Sequence, residues 1–394
     1  MKNFKKECVV VGAGLTGSVI SRYLTDKGYK VTIWERRNHI GGNMYDYVDE
    51  NRICVHQYGP HIFHTNNDDL AAYMKKYAEW IDFPISCQVN MLGKTTPSPF
   101  NFQTIDDYYE PEVAKKLKKA LLNAYPGRNK VTIVEMLESE NPIVKQYADF
   151  LFVHDYSLYT AKQWGVSPAE IDPSVLKRVP VLLSYKDGYF DDKWQMVPED
   201  GYTNWFSGIL NHENISVELG IEALERISIK DKAIWIDGRI FEGLLIYTGA
   251  IDELFKLEYG PLPYRSLRFE WKTEPVQHYQ GAALVAYPEA PDYTRITEYS
   301  HFPQKEAANR TTLAYEYPVI YQEGCSIEPY YPILTEESKQ RHNKYRRLAE
   351  EIKGLVCCGR LADFKYYNMD EALENALNIC SKLNEYIMNA VCLK

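Results

Sequence analysis

The stretch that decides the fold of this chain runs Cys8-Val9-Val10-Val11-Gly12-Ala13-Gly14-Leu15-Thr16-Gly17. Its apolar first half predicts a buried parallel strand that ends at the glycines. Apolar residues at near-helical spacing over residues 15–29 predict a helix, and residues 31–34 are typical of a second strand. Together these segments predict a βαβ unit at the start of the chain.

The glycines of this unit suit a dinucleotide. Gly12 permits a tight turn, Gly14 lets the backbone approach a pyrophosphate, and Gly17 lets the helix pack closely on the strand. Glu35 follows the second strand, about 20 residues on, where a carboxylate accepts hydrogen bonds from a ribose. A second glycine pair, Gly41-Gly42, suits a backbone that lies against a larger cofactor. We therefore expect FAD rather than NAD.

Composition and charge exclude several classes of protein. The chain has 394 residues and a net charge of −9, which disfavours nonspecific binding to nucleic acid and requires local arginines for any anionic substrate. Its eight cysteines show no CxxC pair, so we expect reduced thiols. The first apolar run breaks at Gly12, too early for a signal peptide or a membrane span. These features favour a cytoplasmic protein.

The remaining pattern predicts an α/β protein with a Rossmann-like FAD-binding domain, a helical insertion domain and an antiparallel β-sheet domain. The FAD-binding domain is expected to be discontinuous, over residues 1–82, 190–260 and 320–394. The helical domain is expected over residues 100–170, and the sheet and substrate-loop region over residues 83–99, 171–189 and 261–319. Five segments are predicted to form the antiparallel sheet: residues 215–219, 233–236, 243–247, 266–271 and 281–286.

Aromatic rings and arginines cluster in the second half of the chain. A nucleotide needs this combination, because a base is held by stacking and a pyrophosphate by charge-assisted hydrogen bonds. The clusters lie at residues 159–165, 176–180, 188–190, 293–298, 328–332 and 359–369. They predict an anion site beside the FAD site.

With these features the chain resembles the UDP-galactopyranose mutase family, flavoenzymes that interconvert the pyranose and furanose forms of a nucleotide galactose. The resemblance covers nearly the whole length. The matching motifs are Arg36-Arg37-x-His39-Ile40-Gly41-Gly42-Asn43, Tyr58-Gly59-Pro60-His61-Ile62-Phe63-His64-Thr65, Tyr159-Thr160-x-Lys162-Gln163-Trp164, Arg178-x-Pro180, Tyr189-Phe190, Asp200-Gly201-Tyr202-Thr203, Tyr293-Thr294-Arg295, Tyr330-Tyr331-Pro332 and Gly359-Arg360-Leu361.

The resemblance implies roles for individual residues and no metal site. It implies catalytic roles for Arg178, Arg295 and His64. It implies substrate contacts for Tyr159, Trp164, Tyr189, Tyr330, Tyr331, Tyr366 and Asn368. It implies FAD contacts for Gly12, Gly14, Leu15, Thr16, Gly17, Glu35, Arg36, Gly41, Gly42, Asn43, His61, Ile62, Arg360 and Met369.

The resemblance also implies a mechanism and partners. Reduced FAD acts as a nucleophile through its N5 atom, and the arginines hold the departing diphosphate. The partners are a nucleotide-sugar substrate and an electron donor such as NAD(P)H or a reductase. A homodimer that serves cell-surface glycan synthesis is expected, with no nucleic acid and no membrane span.

Departures from the family pattern leave the identities of the substrate's sugar and base undetermined. Asn368 stands where the family usually has aspartate, and Ala362 stands where glycine is usual. The segment 85–99 and Asp155-Tyr156 also match poorly. A related mutase that acts on UDP-N-acetylgalactosamine or dTDP-fucose is an alternative. A flavin amine-oxidase-like oxidoreductase is another, whereas a glycosyltransferase or a noncatalytic sugar-nucleotide binder would leave the FAD fingerprint without a purpose.

Overall fold

The computed structural model describes residues 6–164, 179–305, 309–321 and 327–392. In this part of the chain, no helix is long and apolar enough to cross a membrane. The helices are α1 Leu15–Asp26, α2 Asp68–Lys75, α3 Phe102–Tyr108, α4 Pro111–Ala124, α5 Ile133–Leu137, α6 Pro142–Leu151, α7 Ser157–Trp164, α8 Tyr202–Leu210, α9 Ala223–Arg226, α10 Ile251–Leu254, α11 Glu336–Glu350 and α12 Met369–Cys392.

A π-helical turn, Phe152–Tyr156, joins α6 to α7. The strands are mostly short. The strands are β1 Glu7–Val11, β2 Lys30–Glu35, β3 Asp46–Val48, β4 Cys54–His56, β5 Phe63–Thr65, β6 Trp80–Asp82, β7 Cys87–Met91, β8 Lys94–Ser98, β9 Lys130–Val131, β10 Val181–Leu182, β11 Trp194–Pro198, β12 Ile215–Leu219, β13 Ile227–Lys230, β14 Ala233–Ile236, β15 Arg239–Ile240, β16 Leu244–Tyr247, β17 Tyr264–Glu274, β18 Leu284–Ala286, β19 Arg295–Glu298, β20 Thr311–Ile320, β21 Tyr331–Pro332 and β22 Leu355–Cys357.

A five-stranded parallel sheet holds the opening sequence. Its order is β12-β2-β1-β16-β22, and β1 pairs in parallel with β2 on one side and β16 on the other. Helices α1 and α12 pack together, and Val10, Val19 and Ile246 are fully buried in the surrounding core. The predicted βαβ unit is therefore present, and its first strand lies at the point where the strand order reverses.

Three of the five segments predicted for one antiparallel sheet lie elsewhere. Residues 233–236 form β14 in a separate three-stranded antiparallel sheet, β13-β14-β15, and two other segments belong to the parallel sheet. Residues 215–219 form β12, which pairs in parallel with β2, and residues 243–247 contain β16, which pairs in parallel with β1. The four residues of β16 are all buried, as is typical of a strand covered by helices on both faces. The prediction was wrong for these segments because strand direction is set by pairing between segments distant in sequence.

A larger seven-stranded sheet forms the second layer, in the order β21-β17-β20-β19-β18-β7-β8. Its neighbouring strands are antiparallel except for β18 and β7, which are parallel. The helices from α3 to α6 and the π-helical turn bury their apolar faces in a separate core with β7, where Leu121, Val144 and Leu151 are fully buried. This arrangement places α7 beside the loop between β18 and β19.

Candidate functional site

The carboxyl ends of β1 and its neighbours open into a cavity of about 220 Å³, here named the glycine-loop cavity. This is the position where open α/β sheets bind ligands. Its wall includes thirteen of the residues predicted to contact FAD: Gly12, Gly14, Leu15, Thr16, Gly17, Glu35, Arg36, Gly41, Gly42, Asn43, His61, Arg360 and Met369.

The glycine loop brings bare backbone to the wall of this cavity. Gly42 has φ +56°, and a Cβ atom added there would lie 2.9 Å from the Cα of Gly14. Gly14 is also the N-cap of α1, and because it has no side chain it does not cap the N–H groups of the first turn. The N–H groups of the first turn are therefore available to a bound phosphate group.

Polar groups in the same wall fit a dinucleotide. Glu35 is buried, and its carboxylate accepts hydrogen bonds from the N–H of Ala13 at 2.9 Å and the N–H of Arg37 at 3.0 Å. Arg37 and Trp34 line the cavity, and each has a buried donor, Nε and Nε1, with no acceptor among the described residues. Because unpaired buried donors are costly, they indicate a polar ligand.

A second cavity, of about 620 Å³, adjoins the first and is here named the arginine cavity. It lies between the seven-stranded sheet, α7 and the chain that leads into α12. Three residues line both cavities: His61, Arg360 and Met369. A ligand in one cavity can therefore contact a ligand in the other.

Arg295 lies in the arginine cavity as one half of an ion pair. It stands opposite Glu316 in the antiparallel register of β19 and β20, and its Nε and an Nη donate to Glu316 Oε2 at 2.7 Å. Burial alone would lower the pKa of Arg295, but the carboxylate of Glu316, together with the phenols of Tyr159 and Tyr331, outweighs burial and raises the pKa. The guanidinium therefore stays charged and keeps further N–H groups for an anion.

Aromatic rings and a second arginine continue the wall toward the glycine-loop cavity. The rings of Tyr331 and Tyr366 stack with their centroids 5.6 Å apart. The guanidinium carbon of Arg360 lies 5.8 Å from the Tyr331 centroid and 5.6 Å from the Tyr366 centroid. This group presents phenol oxygens and a cation at the junction of the two cavities.

The two predicted histidines differ in their surroundings. Burial lowers the pKa of His61 to about 3, with a smaller effect of His56, so the ring is neutral at pH 7. Its Nδ1 donates to the Gly59 carbonyl at 2.7 Å, which leaves Nε2 as an acceptor. His64 stacks on Phe190 at 3.7 Å, and its Nδ1 pairs with Asp192 at 2.9 Å. Both rings are held in fixed orientations.

Lys162 fastens α7 to the loop that leads into Arg295. Its ammonium donates to the carbonyls of Tyr287 at 2.9 Å, Ala290 at 2.6 Å and Tyr293 at 2.8 Å. Burial lowers the pKa of Lys162 to about 8. Since α7 carries Tyr159, this lysine sets the position of two walls of the arginine cavity relative to each other.

Comparisons with known proteins agree with this geometry. The sequence profile of UDP-galactopyranose mutase matches residues 154–366, and that of an NAD(P)-binding Rossmann-like domain matches residues 10–77. The dTDP-fucopyranose mutase of Escherichia coli is 35% identical over 97% of this chain and 98% of its own length. The chain belongs to the UDP-galactopyranose mutase family. Family membership makes it an FAD-dependent isomerase.

Further relatives of the UDP-galactopyranose mutase family support this conclusion. The UDP-galactopyranose mutase of Mycoplasma pneumoniae is 33% identical over 95% of both chains. A crystal structure of reduced UDP-galactopyranose mutase superposes with a TM-score of 0.72 at 18% identity, over 98% of this chain and 95% of that chain. The structural likeness shows the shared fold. The full-length relatives select a mutase over the amine-oxidase-like alternative.

The structure gathers most of the residues that the mutase resemblance implied for the substrate. The arginine cavity is lined by Arg295, His64, Tyr159, Tyr189, Tyr331, Tyr366 and Asn368, together with Ile62. Tyr330 does not line it, because its buried ring packs on Tyr58, with centroids 6.4 Å apart. Arg178 and the side chain of Trp164 lie outside the described residues.

Several cavity residues had not been predicted. Glu316 and Asp155 line the arginine cavity, and Arg37, Thr248 and Glu328 line the glycine-loop cavity. A carboxylate in the otherwise uncharged run of β20 is a signal for Glu316 that the sequence contained. The others come from loops and turns that local patterns do not assign to a site.

Proposed function

We propose that this protein interconverts the pyranose and furanose ring forms of a nucleotide galactose, with UDP-galactopyranose as substrate and reduced FAD as cofactor. One observation carries the proposal: His61, Arg360 and Met369 line both the glycine-loop cavity and the arginine cavity. A sugar held at this junction would lie against a flavin ring, while the rest of the nucleotide would extend along the arginine cavity.

The glycine-loop cavity would hold the FAD. The N–H groups at the start of α1 would bind the pyrophosphate, and the carboxylate of Glu35 would accept hydrogen bonds from the ribose. When bound and reduced, FAD would supply a nucleophilic nitrogen, N5, to the anomeric carbon of the sugar. The chain itself would position the two ligands and hold the charges.

The arginine cavity would hold the diphosphate. Arg295, kept charged by Glu316, would donate its remaining N–H groups to phosphate oxygens, and Arg360 would lie at the cofactor end. A charge-assisted hydrogen bond of this kind contributes about 1.5–3 kcal/mol. The arginines would therefore stabilise the diphosphate as its bond to the sugar breaks and keep it in place for its return. We assign Arg178 to the same task, by the family motif.

The identity of the sugar and base rests on the relatives. A dTDP-fucopyranose mutase and a UDP-galactopyranose mutase align with this chain at 35% and 33% identity, each over at least 95% of its length. The mutase acting on dTDP-fucose is therefore the second candidate, and one acting on UDP-N-acetylgalactosamine is the third. The three candidates share the diphosphate and the ring isomerisation.

Further features of the proposal concern the cellular setting. We propose a cytoplasmic homodimer, joined through the helical domain, that serves cell-surface glycan synthesis and is reduced by NAD(P)H or a reductase. The sequence contains no second GxGxxG fingerprint, so NAD(P)H would bind transiently. The domain limits predicted above are part of the same proposal.

The experiment is a substrate panel. Anaerobically reduced protein is incubated with UDP-galactopyranose, UDP-N-acetylgalactosamine or dTDP-fucopyranose, and the ring isomers are separated by chromatography. We expect the furanose isomer from UDP-galactopyranose at the highest kcat/KM. A higher kcat/KM for dTDP-fucose would make dTDP-fucose, rather than UDP-galactopyranose, the assigned substrate. No isomer from any of the three would refute the proposed function.

A further inference from the structure

Asp155 lines the arginine cavity with a carboxyl group that has no partner among the described residues. It belongs to the π-helical turn Phe152–Tyr156, and such turns often occur at functional sites. It makes no hydrogen bond or ion pair with any described residue. On β7, which packs against this turn, Gln88 also lines the cavity, and its buried Oε1 atom has no partner among the described residues. Polar side chains from the turn and from β7 therefore line the same cavity.

Pairwise electrostatic interactions connect Asp155 to the other charged and phenolic groups of this cavity. The charge of Arg360 acts to lower the pKa of Tyr331, and Tyr331 and Tyr159 both act to raise the pKa of Arg295. The carboxyl group of Asp155 acts to raise the pKa of Tyr159. Asp155 precedes Tyr159 by about one helical turn, so both belong to the helical wall of the cavity, whereas Arg360 lies at the junction with the glycine-loop cavity. Burial raises the pKa of Asp155 to about 7.

This order matches the parts of a nucleotide sugar. If the sugar lies at the junction and the diphosphate at Arg295, the base must lie near Tyr159 and Asp155. Phe100, Pro99 and Tyr156 also line the cavity, so flat apolar surface is available beside the carboxyl group. This placement rests on the function proposed above.

We propose that Asp155 is a specificity-determining residue that pairs with the imide edge of a pyrimidine base, the N3–H and a neighbouring carbonyl. A neutral carboxyl group can accept the hydrogen bond from N3–H and donate its own proton to the carbonyl. The burial of Asp155 favours the neutral form that this pairing needs. Uracil and thymine share this edge, so Asp155 selects bases that carry it. Other groups must discriminate uracil from thymine.

The test measures the binding of UDP and of N3-methyl-UDP to the FAD-bound protein by calorimetry. The variants are Asp155→Asn, which keeps one donor and one acceptor, and Asp155→Leu, which has neither. Asp149→Leu is the matched control, because it removes an exposed acid from the preceding helix. The flavin spectrum of each variant shows that its fold and cofactor are intact.

We expect the parent protein, Asp155→Asn and the control to prefer UDP over N3-methyl-UDP by about tenfold or more. We expect Asp155→Leu to bind the two ligands equally, with UDP about tenfold weaker than in the parent. An unchanged preference in Asp155→Leu, or no preference in the parent, would overturn the inference while leaving the mutase proposal intact. If the parent does not bind UDP at all, the proposed substrate is wrong and the inference fails with it.

Discussion

Arg295 and Glu316 face each other across neighbouring antiparallel strands, and two guanidinium nitrogens donate to the same carboxylate oxygen at 2.7 Å. Glu316 is almost completely buried, with a side chain only 3% exposed. The arginine to which we assign the diphosphate is thus oriented by a carboxylate 21 residues away in sequence. This dependence affects how any substitution at Arg295 must be tested.

Replacing Arg295 by alanine should nearly abolish turnover and also destabilise the fold. The variant leaves Glu316 as a buried, unpaired charge, and breaking a buried pair in this way costs about 3–5 kcal/mol. We expect Arg295→Ala/Glu316→Gln to recover most of the stability and none of the activity, because the neutral amide needs no cation. Chemical denaturation and isomer assays on both variants check this. A double variant as active as the parent would show that Arg295 does not hold the diphosphate.

Gly42→Ala should impair FAD binding because the added methyl group meets the backbone of Gly14 at 2.9 Å. Gly127→Ala is the matched control: its φ is also positive, +74°, and nothing lies within 4 Å of an added Cβ atom. Each variant carries the backbone strain of about 1–2 kcal/mol. We expect purified Gly42→Ala to have lost most of its flavin absorbance and Gly127→Ala to retain it. Equal flavin content in the two would contradict the placement of the cofactor.

Lys162→Met should weaken substrate binding without changing FAD content. The methionine fills similar space but cannot donate to the three carbonyls that Lys162 holds between residues 287 and 293. We expect the KM for the nucleotide sugar to rise about tenfold, which corresponds to about 1.4 kcal/mol, with a smaller effect on kcat. Lys162→Arg should restore part of the affinity. If only the stability falls and the KM stays unchanged, this lysine does not position the cavity walls.

Acid should destabilise the protein through the buried histidines. Burial lowers the pKa of His56 to about 3, whereas the unfolded chain binds the proton near pH 6.5. Between these values the unfolded state holds more protons, so stability falls as pH falls, by about 1.4 kcal/mol per pH unit for one histidine. We expect His56→Asn to have a shallower slope of unfolding free energy between pH 6 and about 4. A slope in His56→Asn equal to that of the parent would contradict this account.

The part of the site that follows from local sequence was predictable. The glycine loop, Glu35 and Gly42 are fixed by a strand, a turn and a helix within one continuous segment, and thirteen of the fourteen residues predicted to contact FAD line the glycine-loop cavity. Arg295 was also identified, but its pairing with Glu316 depends on the register of β19 and β20. Local patterns do not determine that register.

Other residues show a different limit. Tyr330 and Tyr331 are adjacent and equally phenolic, yet successive residues of an extended chain point in opposite directions, and only Tyr331 lines the cavity. Asp155 lies on a π-helical turn, which shifts the phase of the helix that precedes it. Helical periodicity would have continued through this turn and gives no indication of the shift.

The central claim is that the bound flavin promotes an isomerisation with no net oxidation or reduction. The direct test is to reduce the FAD-bound protein anaerobically with a stoichiometric reductant, add UDP-galactopyranose, and count furanose product per flavin while recording the flavin spectrum. The account predicts many product molecules per flavin, a spectrum that stays reduced, and no product from the oxidised protein. One product or fewer per flavin with reoxidation, or equal activity of the oxidised protein, would contradict it.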